Sequence, residues 1–303
     1  PGSHSRLPCL PTCATAWARP AACQASTSAG EANPIRLLNP IASQLSVMRT
    51  SLLGGLVANV RYNSDAARKL SRIRVFEVGR VFLRDPQVKD GPLEVAGLRQ
   101  PMRIAAAACG PALEEQWGSA TRRVDFFDLK ADVESLLAPR APTFEAATHP
   151  AFHPGRSARI AVDGREIGWI GELHPQWANK YELSQGLVCF EVDAAALQEA
   201  ILPQPSVPSR FPPVMRDIAV LVDADISVQA LLDAIGSEKP RIVQEVQLFD
   251  LYQGPNLPAG KKSLAFRVVM QDTERTLTDA EADAARDALV ALWGRRFAAT
   301  LRA

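Results

Sequence analysis

The chain has 303 residues, of which 47% are hydrophobic and 22% charged, and its net charge is +1. This length is enough for about two packed domains, and the composition excludes a disordered or fibrous protein. The small net charge excludes a protein that coats nucleic acid over its whole surface, so any nucleic-acid contact must be a local patch. Charges or prolines interrupt every apolar run before it reaches the ~18–20 residues that cross a bilayer. The odd number of cysteines does not suggest a disulfide framework and fits a reducing compartment.

The first 32 residues differ in composition from the rest of the chain. Residues 1–30 contain no Asp or Glu, and the opening PGSH is typical of the remnant of a cleaved tag. We interpret residues 1–32 as a disordered leader; a transit peptide is disfavoured because the prolines would break its amphipathic helix. Three cysteines lie here without a fourth ligand or the paired spacing of a structural zinc site, so we expect no metal: Cys9, Cys13 and Cys23.

A first folded domain is predicted over residues 33–202. Apolar residues recur at three- and four-residue steps from Leu45 to Val60, which predicts an amphipathic helix from Ser43 to Asn63. Asp163-Gly164 predicts a tight hairpin, since this dipeptide readily supplies positive φ. The elements do not alternate regularly, which favours an α+β fold on a largely antiparallel sheet. The other predicted elements are strands at 75–83, 103–109, 158–162, 166–170 and 187–192 and helices at 130–137 and 194–201.

A second domain is predicted over residues 214–303, after a linker at 203–213 that is too rich in proline for helix or strand. Its elements have the order βαββαβ of a ferredoxin-like fold. Ser227 and Thr278 are each placed to cap a helix, and Glu281 completes a capping box with Thr278. The predicted elements are strands at 217–222, 242–252 and 263–270, helices at 227–235 and 279–297, and a short end at 299–302.

Several phrases of both domains resemble one protein family. The first domain resembles the synthetase-like domain of bacterial phenylalanyl-tRNA synthetase β chains in four stretches of this sequence: NPIASQLSVMRTSLLGGLVANVRYN, FEVGRVF, HPGRSARI and IGELHP. The ferredoxin-fold anticodon-binding domain of those chains resembles the second in RDIAVLVD, LFDLYQG, GKKSLAFRV and RTLTDAE. The phrases occur in the correct order over residues 33–303, and their combination is far more specific than any single motif. The resemblance implies a class II synthetase-like antiparallel sheet with helices, followed by a ferredoxin-like βαββαβ domain.

The resemblance also implies what this part of the enzyme does and lacks. The resemblance implies that the family's N-terminal tRNA-binding module and editing domain are not to be expected in this sequence. Class II synthetases orient ATP with paired arginines and a carboxylate. The stretch FEVGRVF resembles the frame of that site but contains no Arg-x-Glu. We therefore expect only a surface or interface role for Arg80. We therefore expect no catalytic residue and no cofactor in this chain, although the whole cytoplasmic enzyme should use ATP and Mg²⁺. The implied partners are the anticodon stem-loop of tRNA(Phe) and an α chain in an α2β2 assembly, with no DNA and no membrane.

Candidate RNA-binding residues gather on strands 242–252 and 263–270. Apolar and polar or small residues alternate along 263–270, so one face should meet the helices and the other should look outward. An unstacked base needs an aromatic platform, a group that reads its polar edge, and cations for phosphate. We expect Tyr252 to stack and Asp250 to accept from guanine, the family's first anticodon base. The other candidates are Ser263 and Arg267 on the outward side, Lys261 and Lys262 at the mouth of the adjoining loop, and Arg210 and Arg216 for weaker backbone contacts.

The helix predicted from Ser43 to Asn63 has two open interpretations. Its apolar stripe can simply pack on its own sheet, or, as the resemblance implies, the helix can join a bundle at the junction of the α and β chains. The candidates for that interface are Arg49, Leu52, Leu53 and Leu56.

Three further alternatives are disfavoured. The spacing of His149 and His153 suggests a metal site, but adjacent prolines prevent the helix that would align them, and turn roles are expected for both and for His174. A hydrolase using Ser157 or Ser263 lacks the glycine pattern of a nucleophile elbow. A metabolite-sensing module is a known use of the ferredoxin-like fold, but it would not need lysines and an arginine beside Tyr252.

Overall fold

The computed structural model describes residues 34–42, 45–64, 70–198 and 208–302, which fall into two compact units, one on each side of residues 199–207. The predicted leader at 1–32 and the first part of the predicted linker lie outside the described residues. No helix in the described ranges is long and apolar enough to cross a membrane.

The first unit is built on an antiparallel sheet of six strands. Its elements are α1 (Leu53–Ser64), β1 (Ile73–Arg80), β2 (Leu83–Arg84), β3 (Leu98–Arg99), β4 (Met102–Cys109), α2 (Phe126–Leu137), β5 (Thr143–Ala146), β6 (Phe152–Val162), β7 (Arg165–Leu173), α3 (Pro175–Lys180), β8 (Val188–Asp193) and α4 (Ala195–Gln198). The order of the strands in the sheet is β1-β4-β8-β7-β6-β5. Asp163 and Gly164 have φ of 51° and 77° at the tight turn between β6 and β7, which confirms the predicted hairpin.

Both faces of this sheet carry a helix, and each helix buries an apolar stripe. On one face, Leu56 and Val60 of α1 belong to a core with Ala105 and Cys189 of the sheet. On the other face, Leu129 and Val133 of α2 belong to a core with further strand residues, among them Ile160, Ile170 and Phe190. The predicted α+β architecture with an antiparallel sheet is confirmed.

The predicted N-terminal boundary of the first helix is wrong. Helix α1 begins at Leu53, whereas the predicted cap, Ser43, lies outside the described residues. Upstream of the helix, Val47 forms an antiparallel bridge with Arg36, so the apolar spacing there does not reflect a helix.

The start of α1 is set by acceptors for its first amides. The backbone N–H of Leu53 donates to Ser51 Oγ at 3.1 Å, and that of Leu52 donates to the Glu191 carboxylate at 3.3 Å. Four amides at a helix N-terminus have no partner within the helix, and a carboxylate there is also favoured by the helix dipole. Helix α1 therefore begins where β8 supplies the carboxylate of Glu191.

The second unit has the βαββαβ order predicted for it, with the antiparallel sheet order β10-β11-β9-β12. Ser227 Oγ accepts from Ala230 N, and Thr278 and Glu281 form the predicted capping box. Trp293, fully buried, stacks on Phe266 with ring centroids 4.8 Å apart and donates from Nε1 to Leu231 O. The elements are β9 (Val214–Asp223), α5 (Val228–Glu238), β10 (Val243–Tyr252), β11 (Lys261–Met270), α6 (Asp279–Phe297) and β12 (Thr300–Leu301).

Candidate RNA-binding surface

The sheet of the second unit has one face against α5 and α6 and one open face, which we call the outer face. Leu264, Phe266 and Val268 of β11 are fully buried in the helix-side core, so the residues that alternate with them lie on the outer face. Strand pairing aligns the outer-face residues in rows. The first row is Tyr252, Ser263 and Leu221, the second is Asp250, Ala265 and Ala219, and the third is Gln247, Arg267 and Asp217.

The structure places Asp250 and Tyr252 on the outer face at the end of β10. Asp250 is exposed and Tyr252 is half-buried. Ala265 and Ala219 occupy the middle of the row that Asp250 begins, so the two central strands carry only small side chains in that row.

Ser263 lies on the same face, but only 4% of it is exposed. Its hydroxyl is covered by Arg302, whose Nη1 donates to Ser263 Oγ at 3.3 Å. The same guanidinium lies over the Tyr252 ring, 5.2 Å from the ring centroid. Arg302 is therefore a site residue that sequence reasoning missed.

Two predicted cations lie on the outer face and hold acidic partners. Lys261 Nζ lies 2.7 Å from Asp223. Arg267 makes two hydrogen bonds of 2.9 Å to the two carboxylate oxygens of Asp217, and its guanidinium lies 5.1 Å from the centroid of the exposed Phe249 ring. The bond from Arg267 lowers the pKa of Asp217, so the pair stays ionised at neutral pH.

The predicted exposure of Lys262 is wrong. Adjacent strand residues point to opposite faces, so Lys262 lies on the helix side while Lys261 lies on the outer face. Lys262 is 8% exposed, and its Nζ donates to Ala224 O at 3.0 Å. Its ammonium is therefore held on the helix side, and its contact with phosphate stays a prediction.

The two weaker candidates differ in their surroundings. Arg216 points to the helix side of β9, where its guanidinium bonds to Asp279 at 2.6 Å and Asp283 at 3.0 Å on α6. This pairing raises the pKa of Arg216 and ties β9 to α6, so Arg216 is a structural residue in this unit. Arg210 is exposed in the segment before β9.

Of the two interpretations of the first helix, packing on its own sheet is the one the structure shows. Leu52, Leu53 and Leu56 are 0%, 5% and 3% exposed, and all three belong to the core of the first unit. These three side chains therefore pack within their own unit, and their place at a subunit interface stays a prediction.

Arg49, the fourth interface candidate, is part of a polar network at the start of α1. It forms an ion pair with Glu77 and donates from Nε to Arg80 O at 2.8 Å. Close to it, the buried carboxylate of Glu191 accepts a hydrogen bond from Ser51 Oγ. Burial raises the pKa of Glu191, although the Ser51 bond and the charge of a nearby arginine oppose that rise.

Each of the three histidines bonds to its local backbone: His149 precedes a turn, His153 lies in β6, and His174 caps α3. The Nδ1 atoms of His149, His153 and His174 accept from backbone amides two residues later, at 3.1–3.2 Å. Within the described ranges, no cluster of three or more His, Cys, Asp or Glu could hold a metal ion. Cys109 and Cys189 are buried thiols whose pKa is raised by desolvation, as expected of small core residues.

The serines of the hydrolase alternative have structural partners. Ser157 Oγ donates to Ala147 O at 2.6 Å, and Ser263 lies under Arg302.

Two family models match the chain, one for each unit. The model of the phenylalanyl tRNA synthetase beta chain CLM domain matches residues 16–194, so the similarity begins before residue 33, where the resemblance in sequence was first evident. The model of the ferredoxin-fold anticodon binding domain matches residues 209–302. The chain belongs to the phenylalanyl-tRNA synthetase β-chain family. The synthetase-like and ferredoxin-like parts of that family's β chain are thus both present, in the predicted order.

Individual relatives agree with this membership. The phenylalanine–tRNA ligase beta subunit of Burkholderia pseudomallei (strain K96243) is 54% identical over 283 residues, which cover 90% of this chain and 35% of the relative. That of Dechloromonas aromatica is 51% identical over 273 residues, covering 90% of this chain and 34% of the relative. The chain therefore spans about a third of the length of these curated relatives.

Among solved structures, a pyrrolysyl-tRNA synthetase from Desulfitobacterium hafniense superimposes with a TM-score of 0.39 and 14% identity over 58% of this chain and 57% of the other. A similarity this low carries no conclusion about function.

Proposed function

We propose that the outer face of the second unit binds the anticodon stem-loop of tRNA(Phe). The observation that carries this proposal is the grouping, on one open sheet face, of an aromatic ring, an exposed carboxylate and several cations. Single-stranded RNA is recognised by that combination, with stacking on the ring, hydrogen bonds to base edges and cations near the phosphates. In this arrangement Tyr252 stacks a base, Asp250 accepts from the donor edge of guanine, and Lys261, Arg267 and Arg210 lie near the backbone.

The wider assignment follows from family membership. In the complete enzyme, an α chain in an α2β2 assembly would bind ATP and Mg²⁺ and make phenylalanyl-adenylate in the cytoplasm. The present chain would position the tRNA and support the α chain. By itself it should show no phenylalanine-dependent pyrophosphate exchange, because it lacks the arginine pair and glycine-rich helix start of a catalytic class II site.

The exposed edge of the first sheet supports a place for the α chain. Strand β1 is at the sheet edge, and Phe76 and Val78 on it are 77% and 54% exposed. Met102, beside them on β4, is 38% exposed. Exposed apolar patches on an unpaired edge strand mark protein contacts. The α chain would therefore cover β1, and α1 would remain in the core.

The metabolite-sensing alternative is less well supported. A regulatory module would place its ligand at a domain dimer interface, whereas the second unit has three cations on the same outer face as Tyr252, namely Lys261, Arg267 and Arg302.

The test is a titration of the chain with anticodon stem-loops at low salt. The native chain should prefer the loop with guanine at the first anticodon position over the same loop with adenine, which lacks the N1–H and N2–H₂ donors. Asp250→Ala should reduce that preference, because the acceptor is lost. A matched control is Glu245→Ala, an exposed carboxylate farther along β10. Equal affinity of the native chain for every loop and for an unrelated hairpin would contradict the proposed function.

A further inference from the structure

The guanidinium of Arg302 occupies the position where a base would stack. It makes two contacts on the outer face, one over the Tyr252 ring at 5.2 Å and one to Ser263 Oγ at 3.3 Å. These are the ring and the hydroxyl to which an unstacked base would be expected to bind. A guanidinium is planar and stacks on aromatic faces much as a base does.

One face of the Tyr252 ring lies against the backbone of Gly254. A Cβ added at Gly254 would lie 2.6 Å from Tyr252 Cζ and nearer still to Oη, but 3.2 Å from Cε2. An approach in the ring plane would bring one Cε atom closer than Oη, so Gly254 lies over a face of the ring. Any side chain at 254 would push the ring away, which explains the glycine there.

Strand register places Arg302 on the outer face. Arg302 donates its backbone N–H to Ala219 O, which places it level with Ala265 and Asp250. Its side chain extends from that row to the neighbouring row, where its guanidinium meets Ser263 and the Tyr252 ring.

We propose that Arg302 is a built-in competitor of the recognised base: in the unliganded chain it covers the face of Tyr252 that Gly254 leaves open and holds the hydroxyl of Ser263, and the base must displace it to stack. The inference rests on the proposed function. It explains why Ser263 is buried although it lies on an open face, since the group that buries it is a movable side chain near the end of β12.

The competition predicts a specific energetic signature. An exposed cation–π contact of this kind is equivalent to about a two- to five-fold change in affinity. Removing the guanidinium should therefore strengthen the contribution of the stacked base by about that factor. A guanidinium that touched only phosphate would instead contribute equally with and without the base, and its loss would appear in the salt dependence.

The experiment compares intact anticodon stem-loops with loops in which one anticodon nucleotide at a time is abasic. The nucleotide whose removal weakens binding most to the native chain defines the stacked position. At that position, the ratio of the abasic Kd to the intact Kd should rise about two- to five-fold in Arg302→Met relative to native. Methionine keeps an unbranched stem, and circular dichroism confirms that the variant is folded.

Arg267→Met is the matched control. It removes the same charge from the same face and a guanidinium over an aromatic ring, but that ring is Phe249. Arg267→Met should weaken the salt dependence of binding and leave the ratio unchanged, whereas Arg302→Met should raise the ratio. An unchanged or lower ratio in Arg302→Met would overturn the inference while leaving the proposed function intact. No difference between intact and abasic loops at any position in the native chain would instead refute the stacking that both require.

A second measurement needs no RNA. The chain has three tyrosines, Tyr62, Tyr181 and Tyr252, so ring-labelled tyrosine gives a simple NMR spectrum. Arg302→Met should shift the Tyr252 signals of the free chain and leave those of Tyr62 and Tyr181 in place, since both belong to the other unit. Unmoved Tyr252 signals would show that the guanidinium does not cover the ring in solution.

Discussion

At the scale of single residues, Tyr252 and Lys261 should affect RNA binding in different ways. Tyr252→Ala should weaken binding of the cognate stem-loop by about 1–3 kcal/mol with an unchanged salt slope, because stacking releases no counterions. Lys261→Met should lower the slope of log affinity against log salt by about 0.7, the value for one contact to a single strand, and leave base preference intact. The measurement is titration at several salt concentrations, with Tyr62→Ala in the other unit as control. Parallel losses for cognate and unrelated loops in both variants would leave only a nonspecific patch.

Glu191 gives the first unit a predictable pH dependence. Burial raises its folded-state pKa above the value of 4.5 that applies in the unfolded chain. Between those two values the folded state binds more protons, so the free energy of unfolding should fall as pH rises from 4.5 through the folded-state pKa. Glu191→Gln keeps an acceptor for Ser51 and cannot ionise, so the native chain should lose stability relative to this variant across that range.

Urea denaturation at a series of pH values measures this difference. The exposed Glu94→Gln is the control and should follow the native chain. A difference between native and Glu191→Gln that is independent of pH, or grows in favour of the native chain as pH rises, would contradict a raised pKa.

Individual site residues were predictable only as far as strand alternation was applied. Asp250 and Tyr252 are two residues apart on one strand and were correctly placed together on an outward face. Lys261 and Lys262 were grouped at the mouth of a loop because the predicted strand began at Ser263. Strand β11 begins at Lys261, so the two lysines lie on opposite faces of the sheet. Arg302 was missed because it comes from a two-residue strand at the other end of the domain, and only the pairing of β12 with β9 brings it to Tyr252.

At the scale of elements, β1 is where a partner should bind. Replacing Phe76 and Val78 together by serine should weaken co-purification with the α chain from the same organism, because it removes apolar surface from an exposed edge. The fold should survive, since both side chains are already in water. Leu93→Ser, at an 88% exposed leucine between β2 and β3, is the matched control. Undiminished association of the double variant would rule out β1 as the contact.

Helices α1 and α6 differ in how well the sequence predicts the residue at which each begins. The start of α6 was predicted at the correct residue because its start signal is local: Thr278 and Glu281 form a capping box three residues apart. The start of α1 was not, because the carboxylate that accepts from its first amide belongs to Glu191, 139 residues away from Leu52. Apolar spacing upstream of α1 matched a helix, but the backbone there pairs with Arg36 instead.

At the scale of the whole molecule, the second unit should fold without the first. Its core consists of its own residues, from Ile218 to Ala299. The boundary should lie before Ser209, whose Oγ donates to Asp272 O at 2.6 Å, so residues 208–303 are a better choice than a start at 210. Trp293 is the only tryptophan in that range and is fully buried, so its fluorescence reports directly on the core.

The expected result is a cooperative urea transition of Trp293 in residues 208–303 and a strand-and-helix circular dichroism spectrum. Trp293→Phe provides the matching blank for the fluorescence signal. A solvent-exposed Trp293 emission without denaturant would show that the second unit depends on the rest of the chain.

The opposite orientations of Lys261 and Lys262 have a practical consequence for chemical labelling. The two amines are adjacent in sequence, yet one is on the surface and the other has its ammonium on the Ala224 carbonyl beneath the sheet. An amine-acylating reagent should therefore modify Lys261 quickly and Lys262 slowly, and both products fall on the same peptide in a mass spectrum. Lys262 thus serves as an internal standard, against which any protection of its neighbour by a bound ligand can be measured in one experiment.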